Sequence, residues 1–171
     1  MEEIVAMDTA DPIPVEMRWR LTARTLTYVP FAYERALGDA VGEGYNTKVG
    51  EIFRNLGREM SSVASAFRLP TGNAADLAMA VEVLVTVLFG PGFEGEPLEA
   101  TDERAVLRVT RCPFVGMARE LGVNPGHAYV VCNAFKTALV EGLNEDYRTS
   151  VLWARCFGNA ICEMTIERKE E

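Results

Sequence analysis

Between residues 90 and 97 the chain reads Gly90-Pro91-Gly92-Phe93-Glu94-Gly95-Glu96-Pro97. Proline lacks a backbone donor and glycine weakens both helix and strand, so this stretch reads as a break. The chain therefore divides there into two differently built halves.

Upstream the pattern is helical. Val49, Ile52, Phe53, Leu56, Met60, Val63, Ala64 and Phe67 recur at three- and four-residue steps, which predicts an amphipathic helix beginning near Thr47. Pro70 and Gly72 end it. Asn73 is placed to cap a second helix from Ala74 to Leu88, with Asp76 in its first turn. That helix is apolar nearly all round and belongs at the centre of the fold. Its most apolar part, Leu77 to Phe89, is interrupted by Glu82 and falls short of the roughly 20 residues that span a bilayer. Residues 1 to 14, ending in Asp11-Pro12-Ile13-Pro14, read as a flexible leader. From Val15 two patterns compete. Val15, Met17, Trp19 and Leu21 alternate like a strand, whereas Val15, Trp19, Thr22 and Leu26 form a helical stripe; we take the helix.

Downstream the pattern is mixed. Leu98 to Ala100 and Ala105 to Thr110 read as short strands joined near Thr101-Asp102. A short helix over Pro113 to Leu121 follows, then a longer one from Pro125 to Leu143, with Asn124-Pro125 as cap and first-turn proline. Strands over Thr149 to Cys156 and Ala160 to Arg168 close the chain around Gly158-Asn159. The expected organisation is a leader (1–14) and a single α+β domain (15–171). A helical half (15–90) precedes a ligand-binding β-β-α-α-β-β half (96–171), whose small antiparallel sheet packs on helices.

The 171 residues, 49% hydrophobic, can bury a core without a disulfide or metal staple. A formal net charge of −8 argues against nucleic-acid partners. The acidic start, Met1-Glu2-Glu3-Ile4, lacks a signal-peptide pattern, so a cytoplasmic protein without a membrane partner is expected. Its cysteines are then expected as reduced thiols or metal ligands. Glycine-rich nucleotide loops and hydrolase motifs are absent, so no nucleotide cofactor is expected.

All four cysteines fall in the last 60 residues. Cys112 precedes Pro113 and can occupy a helix N-cap, where the dipole favours a thiolate. Cys132 shares an inward stripe with Ala128, Phe135 and Leu139, and Cys162 alternates with Met164 and Ile166. Cys156 depends on the turn. A two-residue turn at Gly158-Asn159 puts it opposite in facing to Cys162, and a three- or five-residue loop puts both on one side. No CxxC pair is present, and each thiol alone reads more simply as a small buried hydrophobe. His127, the only histidine, lies in the first turn of its helix, where the dipole disfavours imidazolium. It is a candidate base or fourth ligand, and a Cys-His nucleophilic pair would require Cys112 from another element.

Arg111-Cys112-Pro113 opening a helix, Glu120-Leu121-Gly122 before the helix of Cys132, and Gly158-Asn159 leading into Cys162-Glu163-Met164-Thr165-Ile166 carry a family resemblance. This region, Leu98 to Lys169, resembles the L-2-amino-thiazoline-4-carboxylic acid hydrolase family and the related 4-vinyl reductase or hydrocarbon-binding domains. Those domains share a fold with ligand-binding modules of nitric-oxide signalling and Golgi transport proteins. The resemblance implies a pocket for a small apolar or aromatic molecule between sheet and helices. It also implies zinc held by Cys132, Cys156 and Cys162, with Cys112 as fourth ligand. The acidic Gly-Asp stretch of the hydrolase branch is Gly158-Asn159 here, which counts against hydrolysis.

The first functional reading is thus a small-molecule-binding domain, sensor or carrier, with a cysteine-rich zinc-binding site. The alternative is a hydrolase using Cys112, or metal-activated water, with Cys112 and His127 as catalytic candidates. A third reading, an interaction module such as a homodimer, needs apolar helices left uncovered within one chain.

Overall fold

The computed structural model describes residues 12–42 and 44–170. Most of the leader expected over residues 1–14 lies outside the described residues.

The ambiguous segment is helix α1 (Val15–Val41). Its buried stripe is Ala23, Thr27, Pro30 and Phe31, offset from the stripe expected, and Val15 and Leu21 face outward. Pro30 sits inside the helix and its carbonyl accepts a hydrogen bond from the Tyr45 hydroxyl at 3.2 Å. Helix α2 (Gly44–Ala66) buries Tyr45, Val49, Phe53 and Ala64, while Ile52 and Phe67, expected inside, are exposed.

Helix α3 (Ala74–Phe89) starts where its cap requires. The Asn73 side-chain oxygen accepts the Asp76 N–H at 2.9 Å, replacing one of the partners a first turn lacks. With the turn after it, Ala74–Gly92 is long and apolar enough, by length and composition, to cross a membrane, yet half of it is buried within the protein. It packs against α1 and the sheet as a core helix.

The sheet comprises β1 (Glu94–Ala100), β2 (Arg104–Arg111), β3 (Tyr147–Trp153) and β4 (Cys162–Arg168). The order is β1-β2-β4-β3, every pair antiparallel. β1 begins four residues earlier than the glycines and prolines suggested. It is an edge strand with two register shifts, the setting in which Gly95 and Pro97 are tolerated. The inner face presents Ala105, Leu107, Val109, Met164 and Ile166 to the core. The outer face carries cross-strand pairs of opposite charge, Arg104–Glu99, Arg108–Glu96 and Arg148–Glu167, around a buried Thr165 hydroxyl bonded to Ser150.

Helices α4 (Pro113–Leu121) and α5 (Gly126–Leu143) separate the two hairpins, completing a helical half followed by β-β-α-α-β-β. α5 lies directly against α2. A Cβ on Gly57 would strike the Phe135 carbonyl and lie 3.0 Å from the Leu139 nitrogen, so glycine is what permits the approach.

Candidate functional site

The thiols reach one place from four elements. Cys112 is the N-cap of α4, Cys132 lies on α5, and Cys162 opens β4. The strand expected to reach Cys156 stops at Trp153, and Cys156 sits in a 3-10 turn over Arg155–Phe157. That longer connection, with Gly158 at φ 96°, resolves the facing question. All four free, half-buried thiols line one chamber of about 40 Å³, with Val115, Tyr129, Asn133 and Met164. The Cys162 sulfur accepts the Arg155 N–H at 3.2 Å.

Lys136 also lines the chamber, and sequence reading passed over it. It is only 8% exposed, its ammonium lies 5.7 Å from the centre of the Phe93 ring, and it hydrogen-bonds Cys132 one turn earlier. The available signal was a lone lysine on the apolar side of α5, between Phe135 and Leu139.

These groups shape each other's protonation. Burial pushes the Cys112 thiol up to about 12 and the Cys156 thiol up to about 11, each helped by neighbouring thiols. Cys162 is raised by burial as well. The N-cap position of Cys112 therefore does not make it a neutral-pH thiolate, because desolvation outweighs the helix terminus. For Lys136 burial is the largest influence and favours the neutral amine, while thiolate charge on Cys132, Cys112 and Cys162 opposes it and gives a net rise.

The zinc set expected from the resemblance is gathered here as a lining rather than a coordination sphere. Among the described residues no three His, Cys, Asp or Glu side chains are close enough to hold a metal ion. A buried ammonium bonded to Cys132 would also repel a dication. The residues as arranged do not fit zinc.

A second space adjoins the first. A solvent-facing vestibule of about 610 Å³ is bordered by Arg20, Arg24, Arg111, Gly116, Met117 and Glu120. Its inner wall is Phe89, Cys112 and Pro113. The same three residues, together with Lys136, border a void of about 20 Å³ beside the chamber. One layer of side chains thus separates vestibule from thiols. An apolar groove of about 420 Å³ between α1 and α2 shares no lining residue with the chamber.

His127 is elsewhere. Its side chain is buried between Phe31 and Tyr45, with Nδ1 2.8 Å from Asn46 Oδ1 and 3.2 Å from Glu34 Oε2. It borders none of the three cavities that Cys112 borders, so the two catalytic candidates are not brought together as a pair. Burial lowers its pKa below the ordinary 6.5. The unfolded chain then takes up the proton first, so this residue's contribution to stability is complete above pH 6.5 and fades as pH falls toward the folded value. Glu34, raised by burial and by Asp39, contributes with the opposite sign. Urea midpoints measured downward from pH 7 should therefore fall less steeply in His127→Phe than in the unaltered protein. Equal slopes would remove His127 from the acid response.

Solved structures that resemble this fold include two with bound small molecules. The phenol-responsive sensory domain of the transcription activator PoxR, determined with phenol, superposes with a TM-score of 0.59 at 12% identity, over 83% of this chain and 74% of that one. Trafficking protein particle complex subunit 3 from Naegleria fowleri, covalently bound to palmitic acid, superposes with a TM-score of 0.62 at 11% identity, over 88% and 96%. Among proteins of curated function, none shows significant sequence similarity to the chain. The pattern of one family matches residues 24–166, which takes in the vestibule's Arg24, the cysteines and Lys136. On that match the chain belongs to the L-2-amino-thiazoline-4-carboxylic acid hydrolase family.

Proposed function

We propose that the chain is a small-molecule-binding domain, a sensor or carrier, whose ligand enters the vestibule and reaches the thiol chamber past Cys112. The observation that carries this reading is the shared wall of Phe89, Cys112 and Pro113. It sets a space large enough for a drug-sized molecule against an inner site of polarizable sulfurs and one polar anchor. A small apolar or aromatic ligand suits this lining. The two fold neighbours, one determined with phenol and one carrying palmitic acid, support it by analogy.

Gly116 supplies the test. It borders the vestibule from α4, and a Cβ there would meet nothing within 4 Å. Gly116→Phe should place a ring in the vestibule, because its Cβ meets no neighbour. Phenol is the probe, and its binding should raise the melting temperature of the unaltered protein in a concentration-dependent way. The response should vanish in Gly116→Phe while the ligand-free protein melts no lower. Equal phenol responses in both proteins would defeat the vestibule reading.

The hydrolase alternative rests on family membership. Cys112 as nucleophile would need a base to take its proton, and His127 is committed to Asn46 and Glu34. The binding reading expects L-2-amino-thiazoline-4-carboxylic acid to survive incubation with the protein intact. Zinc held by Cys112, Cys132, Cys156 and Cys162 is the finer reading drawn from the resemblance. It requires the thiols to close around the ion and Lys136 to withdraw. Elemental analysis decides it, and the present arrangement predicts protein without stoichiometric zinc.

A further inference from the structure

Lys136 presents an unresolved charge. Its side chain is buried, and among the described residues the ion pairs found leave it without a carboxylate partner. Its neighbours are the Phe93 ring and the thiols. An ammonium removed from water without a full counter-charge costs several kcal/mol, and a hydrophobic side chain of similar length would fill the position more cheaply. The charge also borders three spaces: the thiol chamber, the small void behind the Cys112 wall, and a crevice under β1 and β2 whose lining includes Glu82, Glu96 and Arg108. A cation held in that position is arranged to meet an anion.

Size decides how that anion is attached. About 40 Å³ in the chamber admits a carboxylate head but not an aromatic ring, for which a cavity of about 150 Å³ is known to suffice. The vestibule beyond the wall holds the remainder easily. At its mouth Arg20, Arg24 and Arg111 are each paired with a carboxylate, Glu16, Glu120 and Glu94, so local charge is balanced there despite the chain's net charge of −8.

Building on the vestibule reading above, we propose that Lys136 is the anchoring cation for a small carboxylate ligand, whose head passes the Cys112 wall while its apolar body stays in the vestibule. The ligand completes a charge pair that the protein leaves half made.

Benzoate and its neutral isostere benzamide test this by titration calorimetry, with phenol as a third probe. The unaltered protein should bind benzoate about tenfold or more tighter than benzamide, a factor of ten being about 1.4 kcal/mol. Lys136→Met and Lys136→Gln should lose that preference and still bind phenol, whereas Lys136→Arg should retain part of it. A measurement without variants is the ¹⁵Nζ resonance of Lys136, which should move on adding benzoate and stay in place with benzamide. If the unaltered protein binds none of the three probes, the small-molecule reading falls together with this one. If phenol binds but benzoate gains nothing over benzamide, or the Lys136 resonance ignores benzoate, the anchoring role alone is overturned. A preference that survives at Lys136→Met and disappears at Arg111→Gln also overturns it, placing the anion in the mouth instead.

Discussion

Phe135→Ala should lower unfolding stability by about 3–5 kcal/mol, the range for deleting a large aromatic side chain from a packed core. Phe135 is 1% exposed and meets Phe89 edge-on at 5.3 Å between ring centres. Phe89 meets Phe114 at 4.7 Å, Phe114 meets Phe31 at 6.0 Å, and Phe31 meets His127 at 5.5 Å. This column of rings joins α5, α3, α4 and α1, so a hole at one end has no single neighbour able to collapse into it. The urea midpoint should fall with an unchanged slope. A loss under about 1 kcal/mol would mean that the column repacks freely, contrary to the density expected of a protein interior. Because Phe89 also walls the vestibule, the same variant should let thiol reagents reach Cys112 sooner.

The second large effect is expected at Gly57. Gly57→Ala should destabilise by about 1–3 kcal/mol or more, because the obstruction is the backbone of α5 rather than a side chain that can swing away. Helix propensity alone would give the opposite sign, since alanine stabilises a helix interior by roughly 0.5–1 kcal/mol over glycine. Gly116→Ala shows that other sign cleanly, because its Cβ has open space. Thermal melts of the two variants should move in opposite directions. A shift of both upward would show that α2 and α5 are not in the tight contact described.

Much of the fold was legible in the residues. Asn73, Pro113 and Gly122 mark element ends by local chemistry, and the elements end there. The α+β order followed from the break at Gly90 to Pro97. Which side of each helix faces inward was less legible, because both α1 and α2 carry apolar residues on two sides. Ile52 and Phe67 are as apolar as Phe53, and only the position of α5 decides between them. Gly95 and Pro97 read as part of the break, which places the start of β1 at Leu98 by sequence and not at Glu94. The strand extends through them because β1 is an edge, where both residues are tolerated.

The site was half legible. The inward stripe of Cys132 and the alternation of Cys162 pointed to a common seam, and the chamber forms there. Cys156 depended on a connection whose length exceeded every turn considered. Lys136 was invisible for a physical reason. A lysine on a helix normally extends its stem along the surface and returns its charge to water, and nothing in the residue order says that Phe93 and three other elements close over it.

Helix α5 faces two ways. One side is pressed onto α2 at Gly57 with no slack, and the other holds Cys132 and Lys136 against the chamber. Interiors this dense transmit displacement instead of absorbing it. Any guest that pushed on Lys136 would therefore press a helix whose far side bears on α2, much as a key lifts a pin. A deep occupant would in this way bear, by hard contact alone, on α2, whose Ile52 stands open to the outside.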